Sequence, residues 1–241
     1  MKPILHLPSY LGGKAASGVP HAIINQIPFH ETFVSGFLGH CAITRFKLPA
    51  KRTIGIDNDA DVVKRWRKLN TALLNLEVRN RNFFDDYIYL PTGNPKTFIY
   101  LDPPYPHETR RSGHRYTYEL AAFDHAILLQ TIKSFNCMVM ISTYDNNLYQ
   151  MELADWRKTQ FQSQTRGGTP ATETLYMNYP EPAPAELHDP RFIGTDYRQR
   201  EKSKRRIQTI LRKIERLTDE EKALLANSLN IDPNSLRASQ K

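Results

Sequence analysis

The sequence predicts an α/β fold: a mostly parallel sheet with helices on both faces, an antiparallel closing pair and a basic helical extension. Three observations carry this. Short apolar runs alternate with helix-like stretches from residue 1 to about 180. Several runs end in an acid or lead into a glycine-bearing loop, as strands do where open sheets bind ligands. Positive charge is concentrated near the C-terminus. From Arg191 to Arg216, ten basic residues face three acids, a net +7 in a chain whose total is +8.

The elements follow in order. Glu31–Val34 reads as a strand leading into the loop Ser35-Gly36-Phe37-Leu38-Gly39, and Arg52–Asp57 as a second strand ending in an acid. Asp59 to Leu74 reads as a helix, with Val62, Val63, Trp66 and Leu69 near one face. Thr97–Leu101 is a short buried strand. Phe123–Phe135 is helical and Cys137–Ser142 is again a buried strand. Phe161–Gln164 and Leu175–Asn178 read as the closing pair. The proline-rich stretch from Tyr179 to Ala185 opens an extended linker over 181–196. A basic helix over Tyr197–Leu217 and a second helix over Asp219–Leu229 complete the extension, 197–241. Thr218 and Glu221 offer a capping box for the second helix.

Composition narrows the classes. At 241 residues and 40% hydrophobic content the chain can bury a full core. It has no apolar run long enough to span a bilayer, and Met1–His6 lacks signal-peptide features. Cys41 and Cys137 have no metal-ligand spacing, so the expectation is free thiols, a reducing cytoplasm and no metal. The charge of +8 points to a polyanionic partner, although a basic run is equally a solvated helix face.

The densest motif is Asp102-Pro103-Pro104-Tyr105, just past the strand Thr97–Leu101. Asp102 is a carboxylate acceptor. The prolines remove backbone donors and fix φ, which lets their carbonyls be held toward a ligand. Tyr105 supplies a flat ring. An acceptor pair beside a ring suits an exocyclic amine on a planar heterocycle, and a plain turn would use the same residues. Tyr10-Leu11-Gly12-Gly13-Lys14 allows close backbone approach beside a cation, or is a loop. Phe37-Leu38-Gly39-His40-Cys41 is a glycine loop after a strand, or an ordinary turn. Asp57 is either an acceptor for ribose hydroxyls or a helix N-cap, a role Asp59 can also take. In Asn82-Phe83-Phe84-Asp85-Asp86, Asp85 can accept from an adenine amine while Phe83 or Phe84 packs on its ring; a turn is the other reading.

Taken in order, these segments resemble the Dam-type N6-adenine DNA methyltransferases over residues 8 to 180. Tyr10–Lys14 resembles the family's N-terminal cofactor motif, and Phe37 and Gly39 match its Phe-x-Gly-x-Gly segment. Asp57 matches the ribose acid, Asp85 the acid near the cofactor adenine, and Asp102–Tyr105 the catalytic tetrapeptide. Tyr116–Tyr118, Ile141–Asn146 and Thr172–Tyr179 also look like family segments. The resemblance implies a Rossmann-like methyltransferase domain and S-adenosyl-L-methionine as cofactor. It implies a cofactor site of Tyr10, Gly12, Lys14, Phe37, Leu38, Gly39, Asp57, Asn58, Phe84 and Asp85, and a catalytic set of Asp102, Pro103, Pro104 and Tyr105.

The chain departs from the family in three places. Ser35-Gly36 stands where Glu-Pro is usual, Cys41 replaces the second loop glycine, and the large recognition insertion is missing between Asp57 and Asp102. DNA contacts are therefore expected from His107, Arg110, Arg111, His114 and Arg115 after the tetrapeptide, and from Lys204 and Arg205 in the extension. The expected partner is double-stranded DNA, bound by a monomer or homodimer, with the target adenine flipped out. Tyr105 is expected to stack on that base through its ring. The rival readings are an RNA or protein-amide methyltransferase, and a methyltransferase-like nucleic-acid-binding subunit with weak or no catalysis.

Overall fold

The structure, a computed structural model, describes residues 14–16, 18–69, 71–109, 118–164, 169–194 and 197–229. The chain divides into two compact units, Met1–Ile193 and Gly194–Lys241.

The first unit is built on seven strands: β1 (Thr32–Ser35), β2 (Arg52–Asp57), β3 (Leu76–Asn80), β4 (Thr97–Leu101), β5 (Met138–Tyr144), β6 (Arg157–Gln164) and β7 (Pro170–Met177). Their order across the sheet is β3-β2-β1-β4-β5-β7-β6. The pairs from β3 to β5 are parallel, and β7 runs antiparallel to both β5 and β6. This is the expected α/β, Rossmann-like arrangement with its antiparallel closing pair. The strand order reverses between β1 and β4, the point at which open sheets place their ligands.

The central strands are apolar on both sides because both faces are covered. In β4, Ile99 and Leu101 point into one cluster while Phe98 and Tyr100 point into the other. The first face is covered by Leu128, Leu129 and Ile132 of α5 (Ala122–Lys133) and by Tyr149 of α6 (Asn147–Glu152). The second is covered by Val19, Ile23 and Ile24 of α1 (Val19–Ile24) and by Phe192. A smaller cluster joins Leu38, Leu74 and Leu76 to Val62 and Trp66 of α3 (Ala60–Arg67).

Two expectations are corrected here. The helix expected over 59–74 stops at Arg67, and a 3-10 turn, Thr71–Leu74, follows. Asn75 then takes φ 49° and its side chain donates to the Ala50 carbonyl, which aims the chain into β3. The linker expected over 181–196 is, up to Ile193, part of the first unit. Leu187 bridges to Pro28, and the Phe29 and His188 amides donate to the Glu186 and Ile27 carbonyls. Asp189 is buried, accepts from the Leu48 amide at 2.9 Å and pairs with Arg191. Leu187 and Phe192 explain this: the segment carries apolar anchors between its prolines, and Phe192 is buried.

The second unit contains α7 (Tyr197–Glu215) and α8 (Asp219–Ser228). Lys204, Arg205, Arg206 and Arg212 of α7 are exposed. The capping box of α8 forms as expected, with Thr218 accepting from the Glu221 amide and Glu221 from the Thr218 amide. Among the described residues no helix is long and apolar enough to cross a membrane.

Candidate active site

A cavity of about 410 Å³ opens at the carboxyl ends of β1, β2, β3 and β4. The loop after β1 forms one wall. Its Leu38 amide donates to the Ile56 carbonyl at 2.9 Å, which ties the loop to β2. Gly39 adopts φ 42°, a conformation that favours glycine, and its carbonyl accepts from the buried Trp66 indole at 2.7 Å. Phe37, Leu38 and Gly39 all line the cavity.

Gly36 explains one departure from the family pattern. A Cβ added there would lie 2.5 Å from Leu101 Cδ2 and 2.7 Å from the Phe83 ring. The glycine lets the loop pack flush against the end of β4, and no bulkier residue fits between these neighbours. Cys41 explains the second. It is the N-cap of α2 (Ala42–Phe46), with its Sγ 3.5 Å from the Thr44 amide. The second loop glycine is thus replaced by a helix cap at the cavity wall.

Asp57 ends β2 and lines the cavity with Asn58. Its Oδ2 accepts from the Gly39 amide at 2.6 Å and its Oδ1 from the Asp59 amide at 2.8 Å. The helix N-cap is Asp59, which accepts from the Asp61 amide. Asp57 is therefore a brace for the glycine loop at the cavity wall. Burial raises its pKa, and the two amide hydrogen bonds oppose the rise.

The third wall is α4 (Phe83–Asp86), one helical turn whose N-cap is Asn82. Phe84 lines the cavity as expected, but Asp85 does not. A single turn sends residues three apart to one side. Phe83 and Asp86 are buried, Asp86 pairing with Arg79 at 2.9 Å, and Asp85 points to solvent. The polar group delivered to the cavity is instead Asn82.

Asp102, Pro103 and Pro104 follow β4 and line the cavity. The Asp102 side chain is 19% exposed, so it can be reached by a ligand. Lys14 lines the cavity as well, but it serves Asp102: its Nζ lies 3.0 Å from Asp102 Oδ1 and 3.3 Å from Glu173 Oε2. Burial raises the Asp102 pKa, opposed by Lys14 and reinforced by Glu173.

Tyr105 departs from expectation. It is not among the cavity-lining residues and is buried, its ring edge-on to Tyr144 at 4.7 Å and 5.0 Å from Lys14 Nζ. Its hydroxyl donates to Glu173 and lies 3.0 Å from Ser142 Oγ. Buried hydroxyls need partners, and here the partner was supplied by β7. Tyr105 thus anchors the tetrapeptide through its hydroxyl, where a stacking ring was expected.

The cavity is completed by Tyr118, Glu119 and Asp124. His107 is 3.8 Å from Glu119. Lys204 and Arg205 lie in the other unit, on α7. Tyr10, Gly12, Arg110, Arg111, His114 and Arg115 lie outside the described residues. Sequence reasoning missed Asn82, Glu119 and Asp124 at the cavity and Glu173 beside it. Only Glu173 left a signal, an acid at the head of the apolar strand Leu175–Met177.

No family model and no curated protein sequence matches the chain. Its fold is similar to several solved structures. A Streptococcus mutans protein in complex with SAH shares 11% identity over 65% of this chain and 94% of that one, with a TM-score of 0.43. An rRNA methylase from Streptococcus thermophilus shares 11% over 65% and 93%, TM-score 0.43. Precorrin 8W decarboxylase from Methanobacterium thermoautotrophicum shares 12% over 72% and 93%, TM-score 0.44. Likenesses this distant carry nothing about substrate.

Proposed function

We propose that the chain transfers a methyl group from S-adenosyl-L-methionine to N6 of adenine in double-stranded DNA. The observation that carries this reading is the placement of Asp102: a part-buried, ligand-accessible carboxylate beside two fixed prolines, at the rim of a strand-end cavity.

The cavity fits the cofactor. Its volume lies in the range of small-molecule sites, roughly 300–1,000 Å³. Five acids line it (Asp57, Asp59, Asp102, Glu119 and Asp124) against Lys14 and Arg81, an excess suited to a sulfonium cation. Asp57 and Asn58 would hold the ribose, and Phe84 and Asn82 the adenine ring. The cofactor supplies an electrophilic methyl group on that sulfonium. The protein's part is to present a nitrogen. Asp102 and the Pro103 carbonyl accept the two N–H bonds of the target amine, which frees its lone pair from the ring and stabilises the charge that develops. The target base leaves the duplex to reach them. The proton lost from the methylated nitrogen passes to Asp102 and on to water. The cationic face of α7 supports a phosphate partner, which it would bind with release of counterions.

Calorimetry with S-adenosyl-L-methionine and tritium transfer to DNA and to RNA test the reading. Asp102→Ala should retain cofactor binding and lose methyl transfer by about a hundredfold or more, as removal of one strategic charge-stabilising partner does. Near parental transfer in this variant overturns the mechanism. Transfer to RNA alone moves the substrate class, and absence of cofactor binding by the parent protein favours a non-catalytic DNA-binding subunit.

A further inference from the structure

Glu173 is a buried carboxylate that the methyl-transfer scheme does not use. It sits on β7 opposite Tyr144 of β5, and its side chain is 6% exposed. Burying an acid is costly unless it is paired and hydrogen-bonded. Glu173 is both. It accepts the Tyr105 hydroxyl, has Ser142 Oγ at 3.4 Å and stands 3.3 Å from Lys14. Lys14 is itself 5% exposed and lies between Glu173 and Asp102, so one ammonium serves two carboxylates.

We propose that Glu173 is the positioning residue of this site: it anchors the tetrapeptide through the Tyr105 hydroxyl and shares Lys14 with Asp102. This rests on the methyltransferase reading above. When a substrate amine donates to Asp102, Lys14 can lean to Glu173 and remain paired. Without Glu173, Lys14 would lose that partner and compete more strongly with the substrate for Asp102. Among the described residues, the groups facing the pair are Tyr100 on β4, Ser142 and Tyr144 on β5, Ser163 on β6, and Tyr105. The tyrosines are held neutral, burial being the largest cause. Burial alone would raise the pKa of Glu173, but Lys14 and the hydrogen bond from Tyr105 help to outweigh it and hold Glu173 ionised.

The test uses Glu173→Gln, which keeps shape and removes charge, beside Lys14→Met. In the Gln variant kcat should fall about tenfold to a hundredfold, the worth of one hydrogen bond to a charged group, with cofactor affinity unchanged. A merely structural role predicts no electrostatic signature, so the second readout is the titration of Asp102. It is followed in the cofactor-free protein by carboxyl carbon-13 NMR and assigned by its loss in Asp102→Asn. Glu173 raises the proton affinity of Asp102 and Lys14 lowers it. The midpoint should therefore move down in Glu173→Gln and up in Lys14→Met. An unmoved midpoint in Glu173→Gln, or unchanged kcat, overturns the proposal. Both midpoint shifts in a parent protein that transfers no methyl group would retire the methyltransferase reading and support the pairing.

Discussion

Asp57 permits a quantitative test of how the glycine loop after β1 is held. Its two oxygens accept the Gly39 and Asp59 amides at 2.6 and 2.8 Å. Each hydrogen bond to a charged group is worth roughly 1.5–3 kcal/mol. Desolvation of the carboxylate, visible as its raised pKa, offsets part of that, so the lower end applies, about 3 kcal/mol for the pair. Asp57→Ala should lose that amount. Asp57→Asn keeps one acceptor and turns an amide nitrogen toward the other N–H, and should lose roughly half as much or slightly more. The chain's two tryptophans, Trp66 and Trp156, both lie in the first unit, and Trp66 donates to the Gly39 carbonyl. Tryptophan fluorescence in a urea titration therefore reports this unit alone. With a urea slope of roughly 2–3 kcal/mol per molar, the Ala midpoint should drop by about 1–1.5 M. A drop below about 0.2 M would show that Asp57 does not brace the loop. Calorimetry separates the second role: a lowered midpoint with unchanged S-adenosyl-L-methionine affinity would leave Asp57 a brace and remove it from the ribose site.

Three further outcomes are expected. Gly36→Ala forces a methyl against Leu101 and Phe83 and should destabilise by about 1–3 kcal/mol; pairing it with Phe83→Leu should recover part of the loss in the same urea assay. Asp189→Ala leaves the Leu48 amide without its acceptor and removes the ion pair with the partly exposed Arg191, and should cost about 1–3 kcal/mol, read as a fall in the unfolding midpoint. Lys47 is buried over the Phe33 ring, and burial pushes its pKa down to about 7 from an ordinary 10.5. Between those values the unfolded chain holds a proton that the folded chain has released, so stability should rise with pH across that window and stay flat with respect to this group below it. Lys47→Met should abolish the rise; an unchanged pH dependence would place the titration elsewhere.

The sheet was legible because buried parallel strands are nearly continuous apolar runs. Arg52–Asp57 and Thr97–Leu101 match β2 and β4 residue for residue. The cavity-lining strand ends were legible for the same reason, since Asp57 and Asp102 sit where a run stops and Gly39 follows in the loop after β1. Helices α1 and α6, of six residues each, are too short to show a period. Asn82 meets the cavity as the extended N-cap of α4 while Asp85 lies within the turn and is exposed, a difference set by where the turn begins, which the run Asn82–Asp86 does not reveal. The role of Tyr105 was hidden because Glu173 lies 68 residues away, and only the reversal of β7 brings the two together. The segment 181–193 was misread through its prolines, while its packing is decided by Leu187, Asp189 and Phe192.

That reversal has a consequence in time. Lys14 precedes β1 and Glu173 lies on β7, so the acid cluster around Asp102 draws on both ends of the first unit. During vectorial synthesis Asp102 and Tyr105 leave the ribosome well before Glu173 does. Until β7 slots between β5 and β6, Tyr105 lacks the Glu173 carboxylate and Lys14 lacks its contact with it. A nascent chain ending between Tyr105 and Glu173 would own the complete tetrapeptide and the complete glycine loop yet lack the Glu173 contacts. The cluster around Asp102 is thus completed in one late step, when the strand between β5 and β6 is inserted.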